Sequence, residues 1–257
     1  MLDPASHLQS LVDAARADGF AIHEIGKSSA FEHPIYLFKR SASHSVGQGT
    51  PPRIYLSAGV HGDEPAPPLA LLALLREQRL PRTIDISLCP LLNPDGFVRN
   101  CRENGNQVDL NRDFKRLSQP ESRALADYLE REPARFDASI CMHEDWESEG
   151  FYIYCQDEEQ ERSIAAEILK SIVPIGPIER AEEIDGHAAR DGIIAKPILQ
   201  ELADRDDWPE AFLLVSRSPK LHFTIESPSS LDLSLRIRMQ IAAVTRLVQT
   251  LARESGE

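Results

Sequence analysis

The stretch RIYLSAGVHGDEPAPPLALLALLREQ, residues 53 to 78, decides the fold. RIYLSAGV at 53 to 60 is an apolar run with the length of a buried strand, bounded upstream by the polar loop SASHSVGQGTPP at 41 to 52. HGDEPAPP turns the chain, and LALLALLREQ reads as helix. Asp63 or Glu64 is expected to satisfy the open backbone N–H groups at its start, and Pro65 suits its first turn.

The same alternation extends in both directions. Ala5, Leu8, Leu11, Val12 and Ala15 recur at helical spacing over 5 to 17, with Gly19 as the stop and a short strand at 20 to 25. Downstream, TIDISLCPLL at 83 to 92 reads as strand, NPDG at 93 to 96 as a turn, and 119 to 131 as helix. Strands at 137 to 143 and 150 to 155, a helix at 158 to 171, a strand at 221 to 226 and an amphipathic helix at 231 to 252 complete the pattern. Residues 173 to 207, rich in Pro, Gly and charge, read as an irregular excursion over one end of the sheet. Such alternation predicts a three-layer α/β/α sandwich with a mixed, mostly parallel central sheet.

With 257 residues, 42% of them hydrophobic and 27% charged, the chain is expected to form one domain over 1 to 257 with a sizeable core. No apolar run reaches membrane-spanning length, and MLDPASHLQSLVDAARADGF lacks the basic and apolar blocks of a secretory signal. Cys89, Cys101, Cys141 and Cys155 form no CxxC pair and read as reduced thiols, so the expected location is the cytoplasm. A net charge of -13 without a basic run argues against a nucleic-acid partner.

Ligands of open α/β sheets gather beyond the carboxyl ends of the strands, which makes the polar residues ending each apolar strand the candidates. These are His61 and Glu64, then Asn93 and Asp95, then His143, then Glu226. Two imidazoles and a carboxylate are a common catalytic zinc set with a fourth position left for water. Each part alone has a bland reading: Glu64 as a helix cap, His143 as a buried hydrogen-bonded side chain, Glu226 as a partner of the last helix. RENGNQVDLNRDF at 102 to 114 concentrates Arg102, Asn104, Asp109, Asn111 and Arg112 where few core residues stand, and arginine forks bind carboxylates. Its bland reading is a solvated loop with internal ion pairs.

In this order HGDE, NPDG, RENGNQVDLNRDF, the strand ending in His143, and TIES with Glu226 resemble the zinc metallocarboxypeptidase family over roughly 50 to 230. The resemblance implies one Zn2+ held by His61, Glu64 and His143. It also implies Asp109 orienting the His61 imidazole, Arg102 polarising the scissile carbonyl, Asn111 and Arg112 holding the terminal carboxylate, and Glu226 as general base then acid. Two departures stand out. In the compact bacterial branch of the family a glycine usually fills the place of Gln107. A tyrosine some twenty residues before the catalytic glutamate is missing, Tyr154 being the last in the chain, so His187 or Arg190 is expected in that space.

The short chain resembles the branch that includes murein peptide amidases, which cut a γ-D-glutamyl bond to diaminopimelate. The implied substrate is therefore a small peptide, or an acyl amino acid, with a free carboxylate. The rival is an N-acyl amino acid deacylase resembling aspartoacylase and succinylglutamate desuccinylase; the flanks of NPDG and DLNRDF favour the peptidase. A non-catalytic peptide-binding module ranks below both. Cys141 shares a strand face with His143, and Trp146 with Glu144, Asp145, Glu147 and Glu149 offers a wall for a cationic group. The expectation for Cys141 is a core residue, and for the acidic run a solvated loop.

Overall fold

The computed structural model describes residues 4–43, 49–132, 135–217 and 220–254; the loop expected at 41 to 52 lies partly outside them. In chain order the elements are α1 (Pro4–Ala17), β1 (Ala21–Lys27), β2 (Pro34–Arg40), β3 (Arg53–Ala58), α2 (Ala66–Arg76), β4 (Asp85–Cys89) and α3 (Pro94–Arg99). There follow α4 (Pro120–Arg131), β5 (Ala138–Asp145), β6 (Tyr152–Gln156), α5 (Glu159–Ile172), β7 (Glu183–Ile184), β8 (His187–Ala188) and β9 (Ile193–Lys196). The last four are α6 (Ile198–Glu201), α7 (Glu210–Ser216), β10 (Leu221–Pro228) and α8 (Leu233–Glu254).

Among the described residues eight strands form one sheet in the order β1-β2-β4-β3-β5-β10-β6-β9. The central run β4, β3, β5, β10 is parallel, β6 runs against β10, β9 lies parallel to β6, and β1 and β2 add an antiparallel edge. Alternation along β3 sends Ile54 and Leu56 to one face and Tyr55 to the other, so both faces need cover. Leu11 of α1, Leu71 of α2, Ile168 of α5 and Val244 of α8 cover the first face; Leu125 of α4 and Leu214 of α7 cover the second. The expected three-layer α/β/α sandwich with its mixed sheet is the architecture observed.

Several local expectations change. NPDG is the first turn of α3 rather than a free turn: Asn93 caps it, its side chain accepting from the Gly96 N–H at 2.9 Å. Neither Asp63 nor Glu64 caps α2; the Ala66 N–H donates instead to Glu144 of β5 at 2.8 Å. The excursion at 173 to 207 contains the β7–β8 hairpin, turned by Asp185 (φ 51°) and Gly186 (φ 70°), together with β9, which adds a strand to the main sheet. The sequence reading missed β2 and α7 altogether. Gln107 sits at φ 60°, in the left-handed region where glycine would be less strained.

Candidate metal and substrate site

Strand register assembles the site. Parallel pairing of β5 with β10 sets His143 opposite Glu226, and antiparallel pairing of β10 with β6 sets Glu226 opposite Tyr152. Directly opposed residues share a sheet face, so His143, Glu226 and Tyr152 form a row on the side of α4 and α7. One step back stand Cys141, Thr224 and Tyr154. β3 lies on the other flank of β5, with Ala58 opposite Met142, and carries His61 to the same rim through Gly59 at φ 67°. The HGDE loop then presses on α3 so closely that a Cβ on Gly62 would come within 1.9 Å of the Gly96 carbonyl carbon.

His61, Glu64 and His143 are all buried and each offers a ligand atom within 4.8 Å of the others. The Glu64 carboxylate faces both imidazoles, with Oε1 2.5 Å from His61 Nδ1 and Oε2 3.0 Å from His143 Nδ1. Burial works against a charged imidazole at His61, yet Glu64 and Asp109 outweigh it and push its pKa up to about 9. Burial likewise opposes ionisation of Glu64, but the two imidazoles hold it well below the usual carboxylate range. Two imidazoles and a carboxylate buried this close together form a ligand set whose protons a divalent cation would replace. Asp109 Oδ1 lies 3.3 Å from the buried His61 Nε2.

Arg102 joins these parts. Its Nε donates to Asp109 Oδ2 at 3.0 Å, and Nη1 lies 3.3 Å from His61 Nδ1 and 3.8 Å from Glu64 Oε1. Asn111 and Arg112 lie in the short 3-10 turn Leu110–Arg112, whose start is capped by the Asp109 side chain. Glu226 stands at the wall, where burial raises its carboxyl far above the ordinary value against the pull of the His143 imidazole. All of these except Asp109 line a cavity of about 470 Å³.

Not every candidate reaches the cavity. Asn104 is fully buried and shapes its own loop, accepting from the Asn106 and Val108 N–H groups and donating to Glu121. Asn93 and Asp95 are also buried and structural, Asp95 accepting from Ser28 and from the Ala30 N–H. Glu144 borders the cavity but is spoken for by Arg236 and the start of α2, while Asp145 accepts from the Tyr152 hydroxyl at 3.0 Å. Trp146 borders it at 77% exposure, and Glu149 does not line it. The expected replacement for the missing tyrosine is partly corrected: His187 lines the cavity, Arg190 does not, and Tyr152 and Tyr154 do. The period-2 alternation of GFYIYC already put both tyrosines on one face. Lys196 and Arg205, which also line the cavity, carried no signal, because they sit in the stretch read as irregular.

Comparison with known proteins gives this geometry a family. The succinylglutamate desuccinylase/aspartoacylase catalytic domain matches residues 50–205, more than half of the chain. The chain belongs to this family. Carboxypeptidase SOL1 of Arabidopsis thaliana is 31% identical over 183 residues, 58% of this chain but only 36% of that protein, so the chain spans about a third of its relative's length. A solved structure from Shewanella denitrificans, assigned as a metallopeptidase, superposes with a TM-score of 0.81 at 23% identity over 97% of this chain and 91% of that one. Bovine thrombin-activatable fibrinolysis inhibitor, solved with tick carboxypeptidase inhibitor, superposes with a TM-score of 0.72 at 17% identity over 98% of each chain. Identities this low speak for the shared fold. The family is that of carboxypeptidase-like metallohydrolases, and among the described residues no helix is long and apolar enough to cross a membrane.

Proposed function

We propose that the chain, as one catalytic unit over 1 to 257, is a zinc-dependent hydrolase that cuts an amide bond next to a free carboxylate in a short peptide, the murein tripeptide being one such substrate. The supporting observation is the convergence of His61, Glu64 and His143 with Glu226 and Arg102 around one cavity of about 470 Å³. Two imidazoles and a carboxylate suit zinc. When bound there, the ion supplies Lewis acidity that polarises a carbonyl and eases proton loss from water.

The chain's own residues do the rest. Glu226, as the carboxylate, takes the proton of the attacking water and delivers it to the leaving nitrogen, a task suited to a group whose proton affinity is raised by burial. Arg102 donates to the carbonyl oxygen as negative charge develops there. Asn111 and Arg112 hold the free carboxylate, and Asp109 keeps the His61 ring turned toward the ion. Tyr152, opposite Glu226 in the sheet, and Tyr154 bring phenol side chains to the same cavity. The free thiols Cys89, Cys101, Cys141 and Cys155 fit the reducing cytoplasm.

The second reading is an N-acyl amino acid deacylase, favoured by the family domain that matches the chain. One experiment separates the two. The purified protein, its metal quantified, is incubated with free-carboxylate peptides, the murein tripeptide and N-acyl amino acids, with Glu226→Gln as control and mass spectrometry of the products. Peptide cleavage with one zinc per chain, lost by at least ~100-fold in the variant, is expected for a removed general base. Cleavage of acyl amino acids alone replaces the first reading with the second, and a metal-free, inert protein removes both.

A further inference from the structure

Behind the cavity wall a carboxylate without a role in that chemistry is buried deeply. Glu210, at the start of α7, is 1% exposed and makes no salt bridge among the described residues. Its Oε1 accepts from the Tyr55 hydroxyl at 3.0 Å, and Tyr55 is itself fully buried on β3. Burying a carboxyl is costly, and the phenol bond that offsets part of that cost also ties the two elements together. What it fixes lies in the same residue: the backbone N–H of Glu210 donates to Asn111 Oδ1 at 2.8 Å. An amide whose oxygen is engaged in this way points its NH2 group to the other side, and Asn111 lines the cavity. The loop holding Asn111 docks on the same segment again through the Phe114 N–H, which donates to the Trp208 carbonyl at 3.2 Å.

We infer that Glu210 is a positioning residue: bonded to Tyr55, it pins the start of α7 to β3 so that its backbone N–H holds the Asn111 amide with the NH2 group turned toward the substrate's carboxylate. The inference rests on the carboxylate-binding role proposed for Asn111. A plain helix-capping contact between Asn111 and α7 is the competing account, and it predicts a change in stability alone.

The test uses the full chain loaded with zinc and the variants Glu210→Gln, Glu210→Ala and Tyr55→Phe. The first readout, independent of activity, is hydrogen exchange of the backbone amide at 210. The second is the kinetics of a cleaved substrate from the panel above, beside its methyl ester. Glu210→Gln keeps an acceptor for Tyr55 and is expected to stay within about twofold of the unaltered chain in both readouts. Glu210→Ala is expected to speed exchange at 210 and raise KM about tenfold, the worth of one hydrogen bond to a charged group, with zinc content, kcat and the ester's kinetics nearly unchanged. Tyr55→Phe shifts the same way to a smaller degree and decides the matter where the alanine variant does not fold. Unchanged exchange, an unchanged KM, or equal losses on acid and ester overturn the inference. A zinc-loaded chain that cleaves nothing sinks the proposed function instead, while exchange at 210 still decides the positioning claim.

Discussion

Arg102 shows how much one side chain is asked to do. Its guanidinium bonds Asp109, approaches His61 and lies near Glu64, so it balances the anionic flank of the His–Glu–His set, and, lining the cavity, it carries N–H donors besides the one given to Asp109. If those donors act on the carbonyl oxygen, Arg102→Met is expected to lower kcat by ~100- to 1,000-fold, the usual cost of losing such a donor. Zinc content measured by atomic absorption should stay near one per chain, because Glu64 and both imidazoles remain. A variant that instead loses the metal in proportion to activity would make Arg102 a support of the ligand set. At this scale the sequence was legible through convergence: His61, Glu64, His143 and Glu226 stand near or just past the carboxyl ends of β3, β5 and β10, and the structure brings these ends to one rim. What it concealed was which polar residues of one loop face inward, since Asn104 and Asn111 look alike on the page and only burial separates them.

Elements carry the site through two tight joints. At the first, Gly62 meets α3 with no space for a methyl group, and it sits between His61 and Glu64. Gly62→Ala should therefore cost ~1 to 3 kcal/mol, as overpacking does, and weaken zinc retention at the same time. Denaturant melts and a chelator competition would reveal both, and a fully stable, fully loaded variant would contradict the joint. At the second, Asp113 ties the loop after Arg112 to the start of α4, accepting from the Ser118 and Gln119 N–H groups and from the Ser118 and Ser122 hydroxyls. Burial opposes its ionisation, but these donors win and hold its pKa below the ordinary value. A carboxyl depressed in the folded state stabilises above its unfolded pKa and loses that contribution as pH falls through the folded one. Asp113→Ala should thus cost ~1 to 3 kcal/mol at pH 7, the penalty of unpaired buried donors, and less at acid pH, where the carboxyl of the unaltered chain takes up a proton. Equal losses at both pH values would sink this account. Most elements were readable from periodicity, whereas β2, α7 and the hairpin of the excursion were not. The hairpin strands and α7 are short, whereas β2, seven residues long, is placed by its pairing with β1 and β4.

The whole molecule combines a net charge of -13 with a two-sided apolar core, and that core holds two imidazoles apart from the metal set. His7 stacks on Phe97 at 5.0 Å between centroids, and burial, then the Arg76 charge, lower its pKa to about 4. His222, fully enclosed beside Ser139, is brought to about 3 by burial and then by His143. For both, the folded pKa lies below that of the unfolded chain, so the unfolded state takes up the proton first as pH falls below about 6.5. Stability should then fall from about pH 6.5 down toward the folded pKa values, by at most ~1.4 kcal/mol per pH unit for each imidazole. The metal ligands also titrate in acid, so a difference measurement is needed. His7→Phe fills the same space against Phe97 and removes one proton from the balance. Urea unfolding of the unaltered chain and of this variant, both without metal, should give a stability gap that widens in the variant's favour from pH 7 to pH 4.5. A gap that stays constant would mean that His7 binds its proton as readily folded as unfolded, and that its burial does not hold it neutral.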